Sequence, residues 1–192
     1  AGAGAAAAWE DVSAASGTVT GKVEGTNFTG SLLVGHTTTG TLNSASSNTG
    51  VGIDAMKAIV NGDYNTVVGY VAGERITSGD SNTAVGYYAG NDIATSDNNT
   101  AVGAHCLRDV TGAANTALGY VSGRYIVAGA YNTCIGFQAG DNITSGDGNV
   151  SIGVNADPSS ATGDRQLIIQ GSDTSTTTKW ICLLYTSDAA DE

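Results

Sequence analysis

The hydrophobic and polar positions of the chain follow one dominant period between Asn48 and Pro158. Asn, Thr, any residue, an aliphatic and Gly recur at Asn48, Asn65, Asn82, Asn99, Asn115 and Asn132, with a variant at Asn149. The spacing is 17 residues, and once 16. Aligned on the Asn, an aliphatic column appears three residues later at Val51, Val68, Val85, Val102, Leu118, Ile135 and Ile152. A Gly column follows at Gly52, Gly69, Gly86, Gly103, Gly119, Gly136 and Gly153. A second aliphatic column lies eight positions beyond the first, at Ile59, Ile76, Ile93, Val110, Ile126 and Ile143. Small residues stand between them at Ala55, Ala72, Ala89, Cys106, Ser122, Ala139 and Ala156. A fixed period below about 50 residues is the mark of a solenoid or an array.

Each copy predicts a short strand. From Asn82 to Gly86, Thr83 and Val85 face one way and Ala84 and Gly86 the other, because strand side chains alternate. Both aliphatic columns are assigned to the core, and the Thr after each Asn is expected to point inward. The second aliphatic anchors a return segment, and turn-forming residues at 62–65, 78–82 and 145–149 join one coil to the next. Strand, return and turn in 17 residues predict an all-β fold, a parallel β-roll or β-solenoid, with coils about 4.8 Å apart and a rod roughly 30 Å long. The Asn residues occupy equivalent turns, so their amides are expected to stack as a ladder. Small residues recurring on one face allow another backbone to approach closely. Gly69, Gly86, Gly103, Gly119 and Gly136 are therefore expected to form the face between chains of a homotrimer.

The flanks divide the rest of the chain. Residues 1–16 read as an Ala/Gly-rich lead-in. Residues 17–47 combine alternating short strands with an irregular first coil, the repeat region spans 48–158, and 159–181 carry a strand at Gln166–Ile169 and an exit segment. Residues 182–192 are a separate tail.

Composition sharpens this picture. The 192 residues include 28 Gly, one Pro, one Met and two Phe. So few large apolar side chains suit a thin core stacked along an axis. The net charge of −11, from 18 acids against 7 bases, argues against nucleic acid. No apolar run is long enough for a membrane span, and no charged-then-apolar leader opens the chain. The first residue is not Met, so Ala1 is read as lying within a longer reading frame.

Candidate chemistry is sparse. His36 and His105 are far apart, and no Ser-His-Asp or Cys-His constellation can be assembled. Cys106, Cys134 and Cys182 lack metal-ligand spacing, and the first two read as buried small hydrophobes. The acidic turns at Asp63, Asp80, Asp97, Asp141 and Asp147 read first as solvated turn residues and suggest adventitious or trimer-axis Ca²⁺ at most, since their spacing matches neither an EF-hand loop nor the nine-residue calcium β-roll repeat. No cofactor is expected. A β-helical acyltransferase needs an aliphatic every six residues, whereas Val85, Ile93 and Val102 fall at intervals of eight and nine, so an enzyme is disfavoured. Tyr70, Tyr87, Tyr120 and Phe137 follow the Gly column and form a candidate ligand stripe for sugars; shielding the coil edge or packing between chains is the plainer role. Ice binding through the Thr column is set aside because those Thr residues are expected to point inward.

The runs Asn-Thr-Ala-Val-Gly-Tyr-Tyr-Ala-Gly at 82–90, Asn-Thr-Ala-Leu-Gly-Tyr at 115–120 and Asn-Thr-Cys-Ile-Gly-Phe-Gln-Ala-Gly at 132–140 carry a resemblance. They resemble the head repeats of trimeric autotransporter adhesins, which are left-handed parallel β-rolls, and the tail-fibre and structural proteins of environmental viromes. The 17-residue period is longer than the adhesin head repeat. The close of the repeat at 151–163 and the segments 17–22 and 25–36 are also similar to virome fibre proteins. The last residues, Cys182 to Glu192, resemble a translated sequencing adapter, which implies a truncated metagenomic gene. The resemblance implies a homotrimeric fibre segment of a virion, a tail-fibre stalk or head for host attachment. Its partners would be copies of itself and a host cell-surface glycan or protein. The alternative is the head of a bacterial trimeric surface adhesin, on the bacterial cell surface.

Overall fold

The computed structural model describes residues 12–14, 17–19, 21–25, 28–35, 42–172 and 176–184. Most of the lead-in, His36, and residues 185–192 of the tail lie outside the described residues. β1 (Val12–Ala14) and β2 (Gly17–Val19) pair antiparallel as a small separate sheet. β3 (Gly21–Gly25) and β4 (Phe28–Val34) begin a sheet of 11 strands. It continues through three-residue strands: β5 (Thr49–Val51), β6 (Thr66–Val68), β7 (Thr83–Val85), β8 (Thr100–Val102), β9 (Thr116–Leu118), β10 (Thr133–Ile135) and β11 (Val150–Ile152). β12 (Gln166–Ser172) and β13 (Thr177–Leu184) complete it.

From β4 to β12 the strands stack parallel in chain order, and each residue pairs with its counterpart one coil away, as in Thr83 with Thr100 and Ala84 with Ala101. This is an all-β parallel β-solenoid with turns of about 17 residues. Each coil has one strand, and the return segment is built of turns. The two ends are closed by antiparallel partners, β3 on β4 and β13 on β12.

The stacking runs one coil beyond the recognisable repeat at each end. Leu32, Leu33 and Val34 pair with Thr49, Gly50 and Val51, while Leu167, Ile168 and Ile169 pair with Val150, Ser151 and Ile152. Ser31 and Gln166 thereby occupy the Asn position. Cys182 to Leu184, assigned above to the separate tail, form the end of β13, with Ile168 opposite Cys182 and Leu167 opposite Leu183.

The core corrects half of the expected assignment. Ile59, Ile76, Ile93, Val110, Ile126 and Ile143 are fully buried on the return side. The strand contributes its middle residue, Val67, Ala84, Ala101, Ala117 or Cys134, equally buried. The other aliphatic column faces out: Val51, Val68, Leu118 and Ile135 are exposed, and Val85, Val102 and Ile152 are half-buried. The reason is the thinness of the coil. A Cβ placed on Gly90 would stand 2.7 Å from Ile93 Cδ1 and 3.2 Å from Ala84 Cβ. One branched aliphatic from the return fills this cross-section, so the strand must present small groups to it. In the first coil, where the return carries Met56 in place of Gly, the strand carries Gly50, whose Cβ would lie 2.9 Å from Met56 Cε; Leu107 takes the same position opposite Ala101, and both are fully buried.

Candidate interaction surface

Each coil is closed and joined to its neighbour by the Asn column. All seven Asn side chains are buried. Asn65 Nδ2 donates to the Gly79 carbonyl at 2.8 Å, tying the start of its coil to the end of the same coil. Asn65 Oδ1 accepts the backbone N–H of Asn82 at 2.9 Å and its Nδ2 at 3.1 Å, tying one coil to the next. The pattern recurs from Asn48 to Asn149, and Gln166 extends it. The shortened coil alters one rung, where Asn99 Nδ2 donates to the Asp97 carbonyl at 3.2 Å. These Asn residues hold the solenoid together.

The acidic turns form an outer ladder running in the opposite sense. Asp80 Oδ1 accepts the Asp63 N–H at 2.7 Å, Asp97 accepts from Asp80 at 2.8 Å, and Asp147 accepts from Ala130 at 2.7 Å. Their regular spacing thus answers a backbone requirement. Asp141 belongs to a different column. Among the described residues no group of three or more His, Cys, Asp or Glu side chains is placed to hold a metal ion. Burial pushes the thiols of Cys106 and Cys134 up to about 12, so both stay protonated and unreactive at ordinary pH.

The Gly column is not a gap left for another chain. Gly52, Gly69, Gly86, Gly103, Gly119, Gly136 and Gly153 have φ between 121° and 142°. A Cβ on Gly86 would stand 2.7 Å from the carbonyl carbon of Gly103, one coil on. The close approach that demands Gly lies between successive coils of one molecule. This replaces the expected interchain role of Gly69, Gly86, Gly103, Gly119 and Gly136.

The outward surface of the sheet belongs to three other columns. Thr49, Thr66 and Thr116 are exposed and Thr83, Thr100 and Thr133 half-buried, so the Thr column faces out beside the aliphatic one. Leu118 is 48% and Val51 39% exposed. Beyond the Gly column, Tyr70, Tyr87, Tyr120 and Phe137 are exposed, and their rings stack on one another. The centroids of Tyr70 and Tyr87 are 5.7 Å apart and those of Tyr120 and Phe137 are 5.4 Å apart. Ala104 interrupts the stack, and His105 fills the gap, edge-on to Tyr87 at 5.1 Å and to Tyr120 at 6.3 Å. Desolvation, then Arg108 and Arg124, lower the His105 pKa. The stacked rings turn their faces to each other, so what the stripe offers outward is mainly ring edges. None of the residues in these three columns from Thr49 to Val154 is charged. Charges sit on the return side instead, in pairs such as Arg75 with Asp92 at 2.8 Å and Lys57 with Glu74 at 3.8 Å.

Comparison with protein-family models, with curated proteins and with solved structures returned no match. The outward face itself was legible only in part: the columns are evident in the sequence, but their direction is not.

Proposed function

We propose that this chain is a segment of a virion fibre, a tail-fibre stalk or head that holds receptor-binding parts away from the particle. In this reading three copies assemble about the rod axis through the outward sheet face, each a left-handed roll as in the proteins the repeats resemble. The observation that carries it is the uncharged face. In a chain of net charge −11, a surface without a single charge runs the length of the repeat and displays an aliphatic in every coil. Contiguous exposed apolar surface of this kind belongs to a surface that is covered by a partner. A copy of the chain suits it as partner because the columns repeat at the strand spacing of about 4.8 Å, a period that a second stack of the same strands matches along its whole length. The mechanism is multivalent: three weak contacts per fibre combine through effective concentration. A bacterial trimeric surface adhesin has the same physics in another compartment.

Light scattering after size exclusion tests assembly. The expected mass is three times the 19.1 kDa of one chain, surviving dilution. Leu118→Lys combined with Ile135→Lys should yield a folded monomer, because both side chains point away from the core. A folded wild-type monomer overturns the proposal.

A further inference from the structure

The outward side of the sheet changes character where the solenoid ends. Continuing the register of Ile152 with Ile169, Gly171 of β12 falls one coil beyond Val154, in line with the column of Tyr120 and Phe137. β12 buries Gln166, Ile168 and Gln170, so Gly171 lies outward with Leu167 and Ile169. A ring is supplied at this position all the same, from the adjoining strand. β13 pairs Ile181 with Ile169 and Lys179 with Gln170, which leaves Trp180 as the extra residue of a bulge. A bulge bends its strand and re-aims a side chain. Here it brings the indole against Gly171, where a Cβ would stand 3.0 Å from Trp180 Cζ2 and 3.3 Å from Cη2. Trp180 nevertheless remains 68% exposed. Beside it is an open hollow of about 470 Å³, lined by Gly171, Ser172, Thr176, Thr178 and Trp180. Thr178 stands directly opposite Gly171 across the two strands. The lining thus joins one open indole to three hydroxyl side chains, and none of the five residues is charged.

We propose that this hollow binds an uncharged sugar, with one pyranose ring laid on the Trp180 indole and its hydroxyls bonded to Ser172, Thr176 and Thr178. Small-ligand sites combine aromatic surface with a few convergent polar groups in a volume of roughly 300–1,000 Å³. The C–H face of a pyranose is apolar and suits an indole, which is apolar across its body. Sugar hydroxyls donate and accept, as the Ser and Thr hydroxyls do, so each bond can form in either direction. An ionic ligand finds no opposite charge in this lining. The Tyr stripe lacks the same offer, because its rings turn their faces to one another. The hollow lies within one chain, so the proposal is independent of the trimer proposed above.

The chain has two Trp, so Trp9→Phe leaves Trp180 as the sole indole reporter. Titration of that full-length variant with maltotriose, lactose and chitotriose tests the site. Saturable change in Trp180 emission is expected with at least one of them, and calorimetry of the wild-type chain should give the same dissociation constant. By calorimetry, Trp180→Ala should abolish binding. Thr178→Val keeps the shape and should weaken it about threefold to tenfold, the usual value of one hydrogen bond. Both side chains are exposed, so neither variant should lower the melting temperature. Tyr87→Ala should bind as the wild type does. The Leu118→Lys, Ile135→Lys chain should bind equally well, which separates the site from assembly. No saturable change with any of the three sugars overturns the proposal, as does binding that survives Trp180→Ala or is lost in Tyr87→Ala. An emission change that follows chain concentration rather than sugar also overturns it, since a second copy would then cover the hollow.

Discussion

At Gly103 the backbone stands at φ +132°, and a Cβ would lie 2.7 Å from the carbonyl carbon of Gly119. That conformation is nearly exclusive to Gly, and the neighbour it would strike is backbone that cannot rotate away. Gly103→Val should therefore destabilise the isolated folded chain by about 3 kcal/mol or more. Denaturant unfolding in the Leu118→Lys, Ile135→Lys background separates this from assembly: unchanged unfolding there would contradict the intramolecular role. Tyr131 is the opposite case. It is exposed and left-handed at φ 60°, at a corner where other coils place Asn98 and Gly148. Tyr131→Asn should stabilise by about 1 kcal/mol, seen as a higher melting temperature, since Asn tolerates this conformation. The Gly column was legible as a place of close approach. What approaches was not, because a recurring small residue reports missing volume and not the identity of the neighbour.

Among the elements, the inner and outer ladders differ in how much they hold. Asn82 accepts from Asn99 and donates to Asn65 and to the Ser96 carbonyl, with its side chain fully buried. Asn82→Ala leaves several buried groups unpaired and should destabilise by about 2–4 kcal/mol. Asp80→Ala removes an exposed acceptor whose amide partner water can replace, so about 1 kcal/mol or less is expected. Thermal unfolding of the two variants side by side checks the difference; equal losses would deny the inner ladder its larger share. The ladder was readable from spacing, since identical residues at a fixed interval in stacked coils must meet. Ser31 and Gln166 were not, because their residue types differ from the column they complete and only the strand register identifies them.

At the scale of the rod, the repeat carries its charges on the return and the turns and none in the three outward columns from Thr49 to Val154. Under the proposed assembly, the acidic return and turns stay in solvent and the outward columns are what the partner copy covers. If association runs through that face, substitutions on the return such as Arg75→Ala should leave the oligomer intact, whereas Leu118→Lys with Ile135→Lys should abolish it; light scattering of the two reads the difference. Period, strand positions, coil number in the repeat and the Asn ladder were determined by the sequence, because any chain repeating at this interval must place like residues over like; the outer Asp ladder emerged only with the backbone amides it accepts from. Tertiary structure decided which side of each strand is inside. Alternation makes two faces and treats them equally. The choice depends on how close the return segment comes, which is set by left-handed corners at Val71, Tyr88, His105 and Val121, residue types that do not mark such a bend. With the return that close, one Ile fills the coil, so Ala goes in and Val goes out.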